Sequence, residues 1–351
     1  MAVRLTTPVT IVTGFLGSGK TTLVNRLLRE PHGQRIAVIE NEFGEVGVDA
    51  EFLAHSGDET IIQLANGCLC CTVRGDLARA LHELVRRADA QRIAFDRVLI
   101  ETTGLADPGP VIQTFLAETA IESRFHLDGV VALVDAEHFA LQVERLECRA
   151  QIAYADRLLL SKADRVSTEQ RAGVEDSLAV LNPRAPVVAC DLHAVDVDTL
   201  MAHLFDTRGF ALDYVPPDEI RRAMQGLALL APGSGRLQPL GAARHTRDVT
   251  SCVFSSDRPL DLERLNQAID AIIGQCGERL WRCKGIVQAE HQRSRLVVQG
   301  VQGLVQISGG TMWRPFEPRR TVLVFIGRQL DHEAILAALR ACEVEPEKVM
   351  R

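Results

Sequence analysis

The stretch Gly14-Phe15-Leu16-Gly17-Ser18-Gly19-Lys20-Thr21-Thr22 decides how the rest of the chain is read. It opens with G-x-x-x-x-G-K-[ST] without a mismatch. The β-branched run Val9-Thr10-Ile11-Val12-Thr13 precedes it and an amphipathic stretch at 21–29 follows, so the strand and helix that such a loop requires are both present. Glycines allow a tight turn whose N–H groups converge on an anion. Lys20 would bridge the β- and γ-phosphates, and the Thr21 hydroxyl would ligate Mg²⁺ at the positive end of the helix. The predicted ligand is a nucleoside triphosphate with Mg²⁺, held by residues 14–22.

Working outward, short apolar runs at 35–39, 97–100, 129–134, 157–160 and 186–189 alternate with amphipathic stretches at 75–89, 109–119, 136–155 and 168–181. That rhythm predicts an α/β fold of the P-loop NTPase kind, a mostly parallel sheet with helices on both faces. Prolines and glycines then gather between 213 and 246, a linker composition. Beyond it, strands at 249–255, 280–289, 295–300, 304–308 and 321–326 and helices at 260–273 and 331–340 predict a smaller α+β domain with a mostly antiparallel sheet. The expected division is 1–212, a linker at 213–246, and 247–351.

Composition narrows the function classes. The 351 residues are 46% hydrophobic and 24% charged, with a formal net charge of −7, which is ordinary for a soluble globular protein. Scattered basic residues on an acidic background give no footprint for nucleic acid or an anionic membrane surface. No apolar run approaches the roughly 18 residues that would span a bilayer. The N-terminal stretch runs into Gly14 without a cleavage site, so it does not read as an export signal, and a cytoplasmic location is expected. Only four of the 39 basic residues are lysine, Lys20, Lys162, Lys284 and Lys348, so each invites a reason for a compact ammonium.

Two further segments belong with the phosphate loop. Arg97-Val98-Leu99-Ile100-Glu101-Thr102-Thr103-Gly104 is an apolar strand ending in an acid and then a glycine. Glu101 there would reach the Mg²⁺ shell, directly or through water, and the Gly104 N–H would contact the γ-phosphate. Ser161-Lys162-Ala163-Asp164 follows another strand, where GTPases carry N-K-x-D. Asp164 would accept from guanine N1 and N2 while the Lys162 stem lies along the base. Ser161 in place of asparagine leaves the stringency for GTP over ATP open.

A different chemistry is written in Asn66-Gly67-Cys68-Leu69-Cys70-Cys71, which holds three of the nine cysteines. Adjacent cysteines rarely close an unstrained disulfide, whereas thiolates on a turn can converge on one Zn²⁺ or Cu⁺. Three thiolates leave a fourth position vacant, which suits transfer better than permanent structure. Upstream, Glu40-Asn41-Glu42-Phe43-Gly44-Glu45 forms an acidic loop in the place of a switch segment. Glu40 and Glu45 there are candidates to touch Mg²⁺, to position water or to complete the thiol site. His82 and His138 receive no role.

In this order, the phosphate loop, Glu40 to Glu45, Gly67 to Cys71, Glu101-Thr102-Thr103-Gly104-Leu105-Ala106-Asp107-Pro108 and Ser161 to Asp164 resemble the CobW-type metallochaperone GTPases. Arg282-Cys283-Lys284-Gly285-Ile286 and Gln299-Gly300-Val301-Gln302 resemble the second domain of that family, so the likeness spans nearly the whole chain. The resemblance implies a GTPase that binds zinc, or a neighbouring metal such as cobalt, at Cys68, Cys70 and Cys71. It further implies delivery to a client metalloprotein met through the C-terminal domain, with a homodimer among the arrangements left open. GTP hydrolysis would switch metal affinity. A nucleotide-gated metal-binding or sensing module with incidental hydrolysis is the alternative, and a P-loop ATPase or kinase with structural zinc is a third reading.

Overall fold

The computed structural model describes residues 6–40, 60–63, 72–211, 222, 248–315 and 317–344. The chain divides into two compact units, Met1–Val174 with Val187–Gly209, and Glu175–Pro186 with Phe210–Arg351.

In chain order the first part runs β1 (Thr7–Gly14), α1 (Lys20–Arg29), β2 (Ile36–Glu40), β3 (Thr60–Gln63), α2 (Thr72–Asp89), β4 (Arg97–Glu101), α3 (Gly109–Ala117), α4 (Thr119–Glu122), β5 (Phe125–Asp135), α5 (Phe139–Gln142), α6 (Leu146–Tyr154), β6 (Arg157–Ser161), α7 (Thr168–Leu181), β7 (Val187–Ala189) and α8 (Val197–Leu204). The strands form a seven-stranded sheet in the order β3-β2-β4-β1-β5-β6-β7. Every pairing in it is parallel. Parallel strands are buried on both faces, which is why burial along β1, β4, β5 and β6 is nearly continuous rather than alternating. One face packs Val12, Val38, Leu99, Val131 and Leu159 against Leu23, Val24 and Leu27 of α1 and Leu200, Met201 and Leu204 of α8. Helices α3 and α6 pack on β5. With β4 on one side of β1 and β5 on the other, the strand order reverses at β1, and α/β proteins bind ligands beyond the strand C-termini at such a point.

Three local expectations change. The helix expected at 136–155 is two, α5 and α6, because the buried Arg149 side chain donates to Val143 O at 2.6 Å and Glu144 O at 2.7 Å. Those carbonyls turn inward to a guanidinium instead of continuing a helical ladder. Strand β3 and helix α8 carry no signal long enough to stand out in the sequence. The edge strand β3 is four residues held by its register on β2, and α8 is capped by Asp196, which accepts from Thr199 N at 2.8 Å.

The second unit contains β8 (Val249–Ser256), α9 (Leu262–Cys276), β9 (Leu280–Val287), β10 (Ser294–Val301), β11 (Leu304–Met312), β12 (Thr321–Arg328) and α10 (His332–Arg340). Its five-stranded sheet, ordered β11-β10-β9-β12-β8, is antiparallel throughout. Leu265, Ile269 and Ile272 of α9 and Ile335 and Leu339 of α10 cover one face, against Phe254, Val287, Val298, Leu323 and Phe325. Arg282 and Lys284 alternate to the other face and are fully buried, Arg282 beneath the Phe210 ring at 4.0 Å. The linker predicted at 213–246 lies outside the described residues apart from Arg222.

Candidate active site

The phosphate loop leaves β1 at Gly14, whose φ of +145° and crowded α-carbon exclude any side chain. A Cβ there would sit 2.5 Å from Leu133 O and 2.7 Å from Ser18 Oγ. Phe15, Leu16, Gly17 and Ser18 form the turn, closed by Ser18 N donating to Phe15 O at 3.2 Å. Gly19 caps α1, and Lys20, Thr21 and Thr22 make its first turn. The N–H groups of that turn are the anion-binding end of the helix.

Lys20 is buried, and its Nζ donates to Gly14 O at 2.7 Å and Phe15 O at 3.1 Å. Burial pushes the Lys20 ammonium below its ordinary pKa, with the charge of Glu101 opposing the shift. A buried cation beside a row of N–H donors favours an incoming polyanion. The Thr21 hydroxyl faces Glu101 Oε1 at 3.5 Å. A hydroxyl and a carboxylate this close are oxygen donors of the kind Mg²⁺ takes with water and phosphate, so the residues present fit the predicted cation.

Strand register gathers the acids. Glu101 ends β4 opposite Val12 of β1, and Glu40 ends β2 opposite Glu101. Gln63 ends β3 opposite Glu40, so the chain enters residues 64–71 from this same sheet edge. Cys68, Cys70 and Cys71 lie within that segment, outside the described residues, as do Glu42 and Glu45. The remaining six cysteines are free and buried. Burial pushes the thiols of Cys148, Cys252 and Cys283 up to about 12, far from the thiolate form that ligates metal.

Two residues given no role in the sequence reading brace this region, Thr102 by tying the end of β4 to β1 and Gln142 by tying α5 to the loop. Thr102 N donates to Val12 O at 3.0 Å and its hydroxyl to Thr13 Oγ1 at 2.8 Å. Gln142 Nε2 donates to Leu16 O at 3.3 Å. Gly104 lies so close to Leu16 that an added Cβ would meet Leu16 N at 2.9 Å. No periodicity signals such contacts, because each joins residues far apart in sequence.

On the other side of β1, Ser161 is buried and its hydroxyl donates to Ser18 O at 2.8 Å, tying the end of β6 to the phosphate loop. Lys162 adopts a left-handed conformation with φ of +54°. Its Nζ lies 2.6 Å from Asp135 Oδ2. Asp135 is 1% exposed, and its Oδ1 accepts from Glu137 N at 3.0 Å and His138 N at 3.2 Å. Burial raises its pKa, but hydrogen bonds from Lys162 and His138 outweigh that and hold the carboxyl below its ordinary range. Asp164 stands exposed on the 3₁₀ turn Ala163–Arg165 that follows. Of the lysines, Lys20 and Lys162 therefore sit at this site, Lys284 is buried in β9, and Lys348 lies outside the described residues.

A phosphate loop at the switch point of a parallel sheet, a strand-end carboxylate beside its threonine and a Lys-x-Asp segment on the neighbouring strand define a P-loop nucleotide-binding protein. The chain belongs to the CobW/HypB/UreG family: the nucleotide-binding domain of that family matches residues 8–189, and the cobalamin synthesis protein CobW C-terminal domain matches residues 249–343. It is 38% identical over 331 residues to zinc chaperone YjiA of Escherichia coli, covering 94% of this chain and 96% of that one. It is 33% identical over 367 residues to zinc chaperone CobW of Pseudomonas aeruginosa, covering 95% and 90%. The crystal structure of Zn(II)-bound YjiA GTPase from E. coli superposes with a TM-score of 0.76 at 34% identity, covering 97% of this chain and all of that one.

Proposed function

We propose that this protein is a GTP-hydrolysing metallochaperone. It binds zinc, or a related transition metal, through Cys68, Cys70 and Cys71 and transfers it to a client metalloprotein, with GTP hydrolysis switching metal affinity. The observation that carries the reading is the register that sets Gln63, Glu40 and Glu101 side by side at the sheet edge next to Thr21. The thiol segment departs from the edge at which the phosphate site stands, so one nucleotide-dependent rearrangement can bias both. The zinc chaperone relatives support the same reading.

In this reading Lys20 exchanges Gly14 O and Phe15 O for β- and γ-phosphate oxygens, which offsets its burial. Thr21 and Glu101 hold Mg²⁺, which when bound neutralises charge on the β- and γ-oxygens. Residues 14–22 cradle the phosphates, the Gly104 N–H meets the γ-phosphate, and Asp164 reads the guanine edge with Lys162 alongside. Ser161 acts through the phosphate loop rather than on the base. Glu40 and Glu45 touch Mg²⁺, position water or complete the thiol site. Residues 1–212 form the nucleotide domain and 213–246 a linker, and 247–351 meets the client. Among the described residues no helix is long and apolar enough to cross a membrane, and we assign the protein to the cytoplasm.

Coupling between two sites is reciprocal, so if GTP changes zinc affinity, zinc changes GTP affinity by the same factor. Titration of a non-hydrolysable GTP analogue with and without zinc is expected to give affinities that differ about fivefold or more. Identical affinities overturn the switch. Zinc release to an apo acceptor at a rate independent of turnover would assign the chain instead as a nucleotide-gated metal module with incidental hydrolysis.

A further inference from the structure

Helix α6 carries a side chain that reaches into the segment following Glu101. Gln151 is 1% exposed, and its Nε2 donates to both Gly104 O and Ala106 O at 3.1 Å. Two carbonyls on one end of the amide fix which end is nitrogen. The peptide unit is planar and trans, so a Gly104 carbonyl turned toward α6 sends the Leu105 N–H away from it. Among the described residues neither the Gly104 N–H nor the Leu105 N–H has a partner. Two successive free N–H groups, the first on a glycine packed against Leu16 of the phosphate loop, suit an anion rather than a neutral group.

The other end of the same amide is unsatisfied. Gln151 Oε1 is buried without a hydrogen-bond partner among the described residues, and so is Thr103 Oγ1 in the segment it clamps. Buried polar atoms of this kind are rare and disfavoured, which marks the contact between α6 and this segment as one not optimised for stability alone.

We propose that Gln151 is a positioning residue that sets the 103–106 segment to receive the γ-phosphate and thereby distinguishes nucleoside triphosphate from diphosphate. The assignment rests on the nucleotide reading above and deepens it. Gln151 does not touch the nucleotide; it acts through the peptide units of Gly104 and Leu105.

The test compares binding of the non-hydrolysable analogue GMPPNP and of GDP, each with Mg²⁺, by calorimetric titration of the full chain. Gln151→Leu removes the clamp, and isosteric Gln151→Glu sets an acceptor against both carbonyls and serves if the leucine variant does not fold. Both variants are expected to bind GMPPNP at least about tenfold more weakly while GDP affinity stays within about threefold, and phosphate release falls in parallel with GMPPNP binding. A parallel loss of both nucleotides marks a merely structural residue and overturns the assignment, as does no change in either. Wild-type protein that binds neither nucleotide overturns the nucleotide reading itself and this assignment with it.

Discussion

At the scale of single residues, the site is organised by side chains whose charge is held rather than displayed. Asp135 fixes Lys162, whose left-handed backbone leads into the turn bearing Asp164. Its folded-state pKa is depressed, so the stability it contributes is fully present above the unfolded value, near 3.8, and is lost as pH falls through the folded value. In a His138→Gln background, which leaves Lys162 as the side-chain partner of Asp135, the difference in unfolding free energy between Asp135 and Asp135→Asn proteins is expected to stay constant from neutrality to about pH 5. It should then narrow on further acidification. A difference that widens in acid, read from urea unfolding curves across that range, contradicts the assigned pairing.

At the scale of elements, helix boundaries are set by partners more than by propensity. Asp261 caps α9 by accepting from Arg264 N at 2.8 Å, and Asp331 caps α10 by accepting from Ala334 N at 3.0 Å. Both are Asp followed by a glutamate in the first turn, so sequence alone locates these starts to within two residues. Asp261→Ala should cost about 1 kcal/mol, measured as a shift in the urea midpoint with the m-value unchanged. The α5–α6 corner is the opposite case. Its cause, the inward turn of Arg149 onto Val143 O and Glu144 O, lies in burial that no helical period encodes. Arg149→Met keeps much of the length of the side chain but strips the buried Val143 carbonyl and the part-buried Glu144 carbonyl of their donor. About 2–4 kcal/mol of destabilisation is expected, larger than the loss of an exposed cap, and thermal unfolding measures it.

Across the whole molecule, the described cysteines share one setting. Six of the nine cysteines are described, and all six are buried as free thiols. Reaction of the native, metal-free protein with a thiol reagent should therefore modify at most Cys68, Cys70 and Cys71 rapidly, with the other six released only on unfolding. Zinc should protect the fast class, and rapid modification of more than three would show that the buried set is not protected by its packing. What could be read in the chain is local. The phosphate loop, the Glu101 strand end, the Lys162-Ala163-Asp164 turn, the thiol cluster and the two-domain rhythm are all local patterns, and local patterns survive in a linear text. The sequence could not say that Glu40 stands beside Glu101, that Ser161 holds the phosphate loop, or that Gln151 clamps the segment after β4. Each of those depends on parallel strand register or on a side chain buried against residues at least 40 positions away, and such pairings exist only once the sheet has formed and its faces are covered.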